Sequence, residues 1–588
     1  MTDVLQSTEA RAAGAREETV SAVPGLGGAP GALGGWPGKV AAPGKQERLL
    51  RALEWLAAAP GLRELLIALA LSAPVPLLMA LAPGVAITYT YHDVFIPLDA
   101  AWRTLEGQWP HFDFYSPLGV AYFWMHGAAA WLFGMDGRVV IWANLLVLPL
   151  VLLPGLLIAW RRLENVLAIL LTVMVTYLIA SPTFIDGPSS YLAHLANYNR
   201  IGWAICSLTS VWALCPPRSR SLRADAAEAV AVGLFLLFLF YLKLTFFALA
   251  AATVGVGAVT TPRVWRWAPV AALLLAAGIA AMEHLHPGLL SAYLGDIARA
   301  AAAGKKEGLI RNIKGAFASD FRFTILIGLF GALALWIAPA QRLAILGTLA
   351  VAGGSALVAT QNFGMFVPSL VVALMLLTHR LWAVPVEDRG TRAALLTAGA
   401  FGIAMCTLPF VLTQAYGAVD HLEFLRMPGV SLDGHGRSET LRTVRWYRHW
   451  LETPSFPTEF TLAEEQRRDD LIPPAIMGEI LDDGYKLIDS LKLSQPRIAN
   501  LSFSNPFPAA LRYPPPRGVA LWWDPNRTFR RATLTPGEAI GDADLVMAPK
   551  LWRNYYIVQD LEVAAWPELA ASFTPHESEY WIAWVKNR

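Results

Sequence analysis

The sequence predicts an α-helical polytopic membrane protein of about eleven transmembrane helices, with a small C-terminal α/β domain outside the bilayer. Three observations predict it. Of 588 residues, 55% are hydrophobic and only 16% charged, and the mean hydropathy is +0.43. Most charges lie between the apolar runs, and many of those runs are long enough to cross a bilayer. Beyond Tyr416 the composition turns polar and short strand-like runs alternate with turn signals.

Taken in order, residues 1–45 are rich in Ala, Gly and Pro (SAVPGLGGAPGALGGWPG) and predict a disordered cytoplasmic tail with no cleavable signal peptide. The apolar run 64–87 is the first expected span. Lys45, Arg48, Arg51 and Arg63 precede it, which places the N-terminus in the cytoplasm and makes the following loop, 88–138, external. The run 117–134 is expected to lie along the membrane. Counting it as a span would put Arg161 and Arg162 outside. Leaving it out puts them inside, together with Arg218, Arg220, Arg223, Arg263, Arg266, Arg342, Arg380, Arg389 and Arg392.

The further expected spans are 139–160, 165–181, 199–215, 226–242, 244–260, 267–285, 321–338, 343–360, 365–381 and 393–413. An odd number places the C-terminal domain, 416–588, on the external side. Within it, 460–494 reads as helix and 497–503, 518–523, 543–548 and 580–585 as strands. NPFP at 505–508 and PPPRG at 514–518 mark turns.

Composition excludes several functions. A net charge of +2 argues neither for nor against nucleic acid, which is not expected as a partner; neither a GxGxxG after a strand nor a GxxxxGK[ST] is present, so nothing suggests nucleotide binding. Cys206, Cys215 and Cys406 all fall in apolar runs, so no disulfide framework is expected in the polar part. No metal-ligand cluster stands out: His284 and His286, without a nearby carboxylate cluster, make a poor metal site.

The candidate chemistry concentrates at 89–119, YTYHDVFIPLDAAWRTLEGQWPHFDFYSPLG. Carboxylates beside a bilayer are costly, and their presence points to a water-filled or protein-lined site. Asp93 comes first, with His92 beside it; a carboxylate here could accept the proton of an attacking hydroxyl, its pKa raised by the low dielectric. Asp113, beside His111, reads either as a group holding acceptor hydroxyls or as a turn Asp before Pro117. Lys243 interrupts the apolar stretch 226–260. That stretch is too long for one span and suits a hairpin with the lysine at its tip, either binding a lipid phosphate or snorkelling to the interface. The loop 286–320 carries Arg299, Lys305, Lys306, Arg311 and Lys314 although it is expected outside. Those cations read either as contacts for a leaving phosphate or as contacts for anionic headgroups.

The order of features in 89–119 resembles the first external loop of the GT-C superfamily of polytopic membrane glycosyltransferases, which includes protein mannosyltransferases and aminoarabinose transferases. An acid after the first span (Asp93), a short amphipathic helix (99–105) ending in Gly107, an aromatic–Asp step (HFDF, 111–114) and a Pro turn (SPLG, 116–119) follow one another. Lys243 resembles a lysine at the matching hairpin of many members. One departure is Val94, where many members carry a second acid, and it weakens the case for a metal-binding acidic pair, so no cofactor is expected.

The resemblance implies an inverting transferase that moves a sugar from a polyprenyl-phosphate-linked donor to a glycan, lipid or protein acceptor on the external face of a bacterial-type inner membrane. Asp93 and Asp113 would then be catalytic, and His92, His111, Lys243, Lys305, Lys306 and Arg311 would bind substrate. A transporter or flippase of lipid-linked sugars, and a non-catalytic subunit of an envelope glycan assembly system, are the competing readings. Against a transporter, the acids sit in one loop and no matching halves are found.

Overall fold

The computed structural model describes residues 45–588 apart from 89–90, 186, 193, 195–196, 305–320, 360–366, 428, 433–439, 445–473, 526, 551–554 and 588. It forms two compact units, Met1–Leu49 and Leu50–Arg588. The first is described only from Lys45, where helix α1 (Lys45–Leu56) begins, and the account below concerns the second.

The protein is a multi-pass membrane protein built mainly of helices. Among the described residues, six helical stretches are long and apolar enough to cross a membrane: Leu62–Ala80, Val139–Arg162, Leu222–Leu242, Arg263–Leu285, Pro339–Val358 and Arg389–Arg426. Four shorter apolar helices accompany them among the described residues, at Asn165–Ala180, Leu244–Thr260, Phe321–Ile337 and Pro368–Trp382.

The first span differs from the expected 64–87. It consists of α2 (Leu62–Ser72) and α3 (Pro74–Ala80), joined at Ala73. Pro83 and Gly84 follow and cannot continue a helix. The apolar Val85–Ile87 then forms strand β1, fully buried. Hydropathy alone counts these residues into the span; the Pro-Gly step takes them out.

A 3-10 turn, Tyr91–Val94, leads into α4 (Phe95–Leu105), and α5 (Val120–Phe133) follows the loop. Helix α5 has 14 residues, about 21 Å, against a hydrocarbon core of about 30 Å. It packs on α4 and α6 (Val139–Arg162). Helix α7 (Asn165–Ala180) pairs with α6, and α8 (Asn197–Leu214) is buried along almost its whole length. Helices α9 (Leu222–Leu242) and α10 (Leu244–Thr260) meet at Lys243, whose extended backbone (φ −161°, ψ 118°) breaks the helix and turns the chain.

Helix α11 (Pro262–Leu285) packs along α9, and Gly288, at φ +88°, turns the chain into α12 (Leu289–Ala303). Most of the expected loop 286–320 that is described is therefore helix. Helices α13 (Phe321–Ile337), α14 (Arg342–Ala359), α15 (Val367–Trp382) and α16 (Arg389–Arg426) complete the bundle. Helix α16 runs ten residues and more beyond the expected end of its span at 413.

At the end of the bundle away from the first loop, Arg161 pairs with Asp225 at 2.6 Å and Glu228 at 2.7 Å, and Arg162 also pairs with Glu228. These bonds spare the buried Glu228 an uncompensated charge.

Two sheets follow. Strand β1 pairs in parallel with β3 (Leu441–Val444), which pairs antiparallel with β2 (Gly429–Ser431). After α17 (Pro474–Ser490) comes a four-stranded sheet of order β4-β5-β7-β6, made of β4 (Ile498–Asn500), β5 (Leu545–Pro549), β6 (Phe573–Glu577) and β7 (Trp581–Lys586). Only β4 and β5 run parallel. The expected helix 460–494 lies partly outside the described residues. The expected strand 518–523 is no strand; it meets the first loop through the Tyr115–Ala520 bridge and through the Gly518 N–H, which donates to the Asp113 carbonyl. Three prolines precede it and Gly518, at φ +81°, opens it, and such a start does not favour a regular ladder.

Candidate active site at the first loop

Asp93 sits in the 3-10 turn between β1 and α4 and is 3% exposed. His92 Nε2 lies 3.5 Å from Asp93 Oδ1. The C-terminal segment fixes this turn: the His92 carbonyl accepts from Ser504 Oγ at 2.6 Å, and the imidazole stands edge-on to Phe503, with centroids 4.6 Å apart.

Three other parts of the chain reach the same place. The first is α5, where Tyr122 is buried and its phenol is pushed well above the usual tyrosine range by burial, then by Tyr198 and Asp93. The second is the start of α8: Tyr198 lies in the fields of Asp93, Asp524 and Arg527, and Asn199 Oδ1 accepts from Lys243 Nζ at 3.0 Å. The third is the α9–α10 hairpin. Lys243 Nζ stands 4.8 Å over the Tyr198 ring and 5.8 Å from that of Phe246. Burial, and next the nearby Arg527, pushes the lysine down to about 7.

The hairpin is pinned against the first loop at Gly119, whose N–H donates to the Leu242 carbonyl at 3.3 Å. A Cβ at Gly119 would collide with the Tyr241 carbonyl. Glycine is required here by close approach of two backbones.

The C-terminal segment adds Asp524 and Arg527. They occupy one turn, with Arg527 Nη1 3.3 Å from Asp524 Oδ2, and the Trp523 N–H donates to the Phe503 carbonyl at 2.8 Å. Burial raises the Asp524 carboxyl above its usual range, against the lowering effect of Arg527. The assembled group is therefore two carboxylates, two cations and two phenols drawn from five segments. Such a group can take a proton at Asp93 and hold an anion at Lys243 and Arg527.

The remaining sequence candidates have other partners. Asp113 accepts from the Trp109 N–H at 2.7 Å and pairs with Arg517 Nη1 at 3.0 Å, and its carbonyl accepts from the Gly518 N–H at 2.7 Å. It closes a turn and docks the PPPRG loop. His111, at φ +72°, lies with Nδ1 2.7 Å from Asp296 Oδ2 of α12, and the same oxygen accepts from the Ser116 N–H at 3.1 Å. Lys305, Lys306 and Arg311 lie outside the described residues.

Sequence reasoning missed a buried clamp beside the site. Arg103, 1% exposed, donates to Asp99 Oδ2 at 2.9 Å, Gln108 Oε1 at 2.8 Å and the Pro516 carbonyl at 2.7 Å. Gln108 donates to the Pro515 carbonyl at 2.7 Å, and Trp102 Nε1 to the Tyr513 carbonyl at 2.7 Å. The spacing of Asp99 and Arg103 is a visible i, i+4 pair, the signal that could have found it. Among the described residues no group of three or more His, Cys, Asp or Glu side chains could hold a metal ion.

No known protein family and no curated protein matches the chain. Among solved structures, the chain is similar to ArnT from Cupriavidus metallidurans bound to undecaprenyl phosphate, with 12% identity and a TM-score of 0.45 over 89% of this chain and 97% of that one. It is also similar to the same protein in the apo state, with 11% identity and a TM-score of 0.39 over 88% and 97%. A third is the oligosaccharyltransferase AglB from Archaeoglobus fulgidus, in complex with an inhibitory peptide and a dolichol-phosphate, with 10% identity and a TM-score of 0.37 over 92% and 75%.

Proposed function

We propose that this protein is an inverting glycosyltransferase that moves a sugar from a polyprenyl-phosphate-linked donor to an acceptor on the external face of the membrane. The observation that carries the reading is the convergence of the buried Asp93 with Lys243 and Arg527 around Tyr198. The acceptor hydroxyl gives its proton to Asp93 as its oxygen attacks the anomeric carbon. The bond from that carbon to the phosphate oxygen breaks on the opposite face, so a single displacement inverts the centre. The phosphate leaves with one more negative charge than it had in the donor, and Lys243 with Arg527 stabilises that charge where it develops.

Lys305, Lys306 and Arg311 enter this proposal as further contacts for the same phosphate, and His92 as the neighbour that orients Asp93. Asp113 and His111 hold the first loop to the C-terminal segment and α12, and so shape the acceptor side. In this reading the N-terminus is cytoplasmic and the segment 416–588 is external.

The test is transfer by purified protein in proteoliposomes that contain polyprenyl-phosphate sugars and a lipid and glycan extract as acceptors. Free polyprenyl phosphate is counted by mass spectrometry. Acceptor-dependent release that is lost in Asp93→Asn supports the proposal. Movement of intact donor across the bilayer without release would make the protein a transporter.

A further inference from the structure

Lys243 donates to Asn199, and two residues before Asn199 in α8, Asn197 belongs to a polar network buried where α5, α6 and α8 meet. His126 of α5, Asn144 of α6 and Asn197 of α8 are 0%, 2% and 1% exposed. His126 Nδ1 lies 2.7 Å from the Tyr122 carbonyl. A carbonyl only accepts, so Nδ1 carries the proton and Nε2 is left with its lone pair. That lone pair faces Asn197 Nδ2 at 3.1 Å, and the same amide nitrogen donates its second hydrogen to Asn144 Oδ1 at 3.0 Å. Asn197 Oδ1 in turn accepts from the Tyr198 N–H at 2.9 Å. Each bond fixes the direction of the next, and burial keeps the ring neutral by pushing His126 down to about 4.

The consequence reaches the site in two steps. Asn197 is the first residue of α8, where backbone N–H groups have no partner within the helix. Its side-chain oxygen satisfies one of them and so sets the first turn, which carries Tyr198 and Asn199. Those two residues are what Lys243 rests on and donates to. The geometry points to His126, Asn144 and Asn197 as positioning residues that hold Lys243 in place for an isoprenoid phosphate, without touching that ligand themselves. The inference rests on the anion-binding role proposed for Lys243.

Farnesyl phosphate, an isoprenoid monophosphate that needs no sugar or acceptor, is the probe, and its binding to the full chain in detergent is measured by calorimetry. Asn197→Ala should raise Kd about tenfold, the equivalent of losing one charge-assisted hydrogen bond. It should also move the pH midpoint of binding downward, because an ammonium whose bond to Asn199 is displaced loses its proton more easily. In a Lys243→Ala background Asn197→Ala should have no further effect, since nothing remains to be positioned.

Equal loss in both backgrounds, or an unmoved pH midpoint, would overturn the inference. Should Asn197→Ala not fold, Asn144→Ala applies the same double-mutant cycle one bond further out. If Lys243→Ala alone binds the probe like the parent protein, the anion-binding role of Lys243 fails and the inference falls with it. If Lys243→Ala weakens binding while both asparagine variants do not, the positioning role alone is wrong.

Discussion

Replacing Arg103 by alanine should destabilise the protein strongly, and the structure supplies the magnitude. The guanidinium is 1% exposed and makes three hydrogen bonds of 2.7–2.9 Å, to Asp99, Gln108 and the Pro516 carbonyl. It also lies 4.7 Å over the Phe114 ring. Asp99 is likewise 1% exposed, so the substitution leaves a buried carboxylate without its partner, at a cost of about 3–5 kcal/mol. Replacing both residues, Arg103→Met with Asp99→Leu, removes the stranded charge and should cost distinctly less.

The pH dependence has a defined sign. Burial already holds Asp99 above the usual carboxylate range against the lowering effect of Arg103, and Arg103→Ala removes that opposition. The folded variant then binds a proton more tightly than the unfolded chain, so its stability rises as pH falls from neutral toward the unfolded carboxylate range. The assay is thermal unfolding of detergent-solubilised protein followed by Trp fluorescence at pH 7 and pH 5, with limited proteolysis at 512–518 reporting release of the clamped loop. A single variant no less stable than the double variant, with no recovery at pH 5, would refute the reasoning.

Two further outcomes are expected. Lys243, pushed down to about 7, is charged below that pH and neutral above it, so farnesyl phosphate binding should weaken as pH rises through 7. Lys243→Arg should remove that dependence, and a pH-independent parent would contradict it. A reporter fused after Arg588 should behave as external and one placed between Arg218 and Arg223 as cytoplasmic; the same side for both would show the span parity to be wrong.

The parts legible in the sequence are those carried by a local conflict. Lys243 announces itself because one charge interrupts an apolar stretch too long for a single span, and the helix does break there. Asp93 is legible as an acid after the first span, and its burial agrees with a protein-lined site. It does not follow that span directly, however: β1 intervenes, and its partner strand, β3, lies some 350 residues away (Ile87 with Thr443). Hydropathy cannot distinguish a buried strand from the end of a span.

Asp113 shows the opposite limit. The acid is visible in the sequence, but its partners, the Trp109 N–H and the distant Arg517, are not. Tyr198, Asn199, Asp524 and Arg527 carry no local signal at all. They matter because tertiary packing brings the start of α8 and a C-terminal turn to the first loop, and such long-range placement leaves no periodicity to read.

The central claim is that Asp93 is the base of a sugar transfer, and the most direct measurement is the turnover of Asp93→Asn in proteoliposomes. Asparagine keeps the shape and volume of the side chain but cannot accept the proton, so membrane level and thermal unfolding should stay close to the parent. Transfer should fall by about two to four orders of magnitude, the usual worth of a positioned base. Near-normal transfer by a well-folded Asp93→Asn protein would contradict the account.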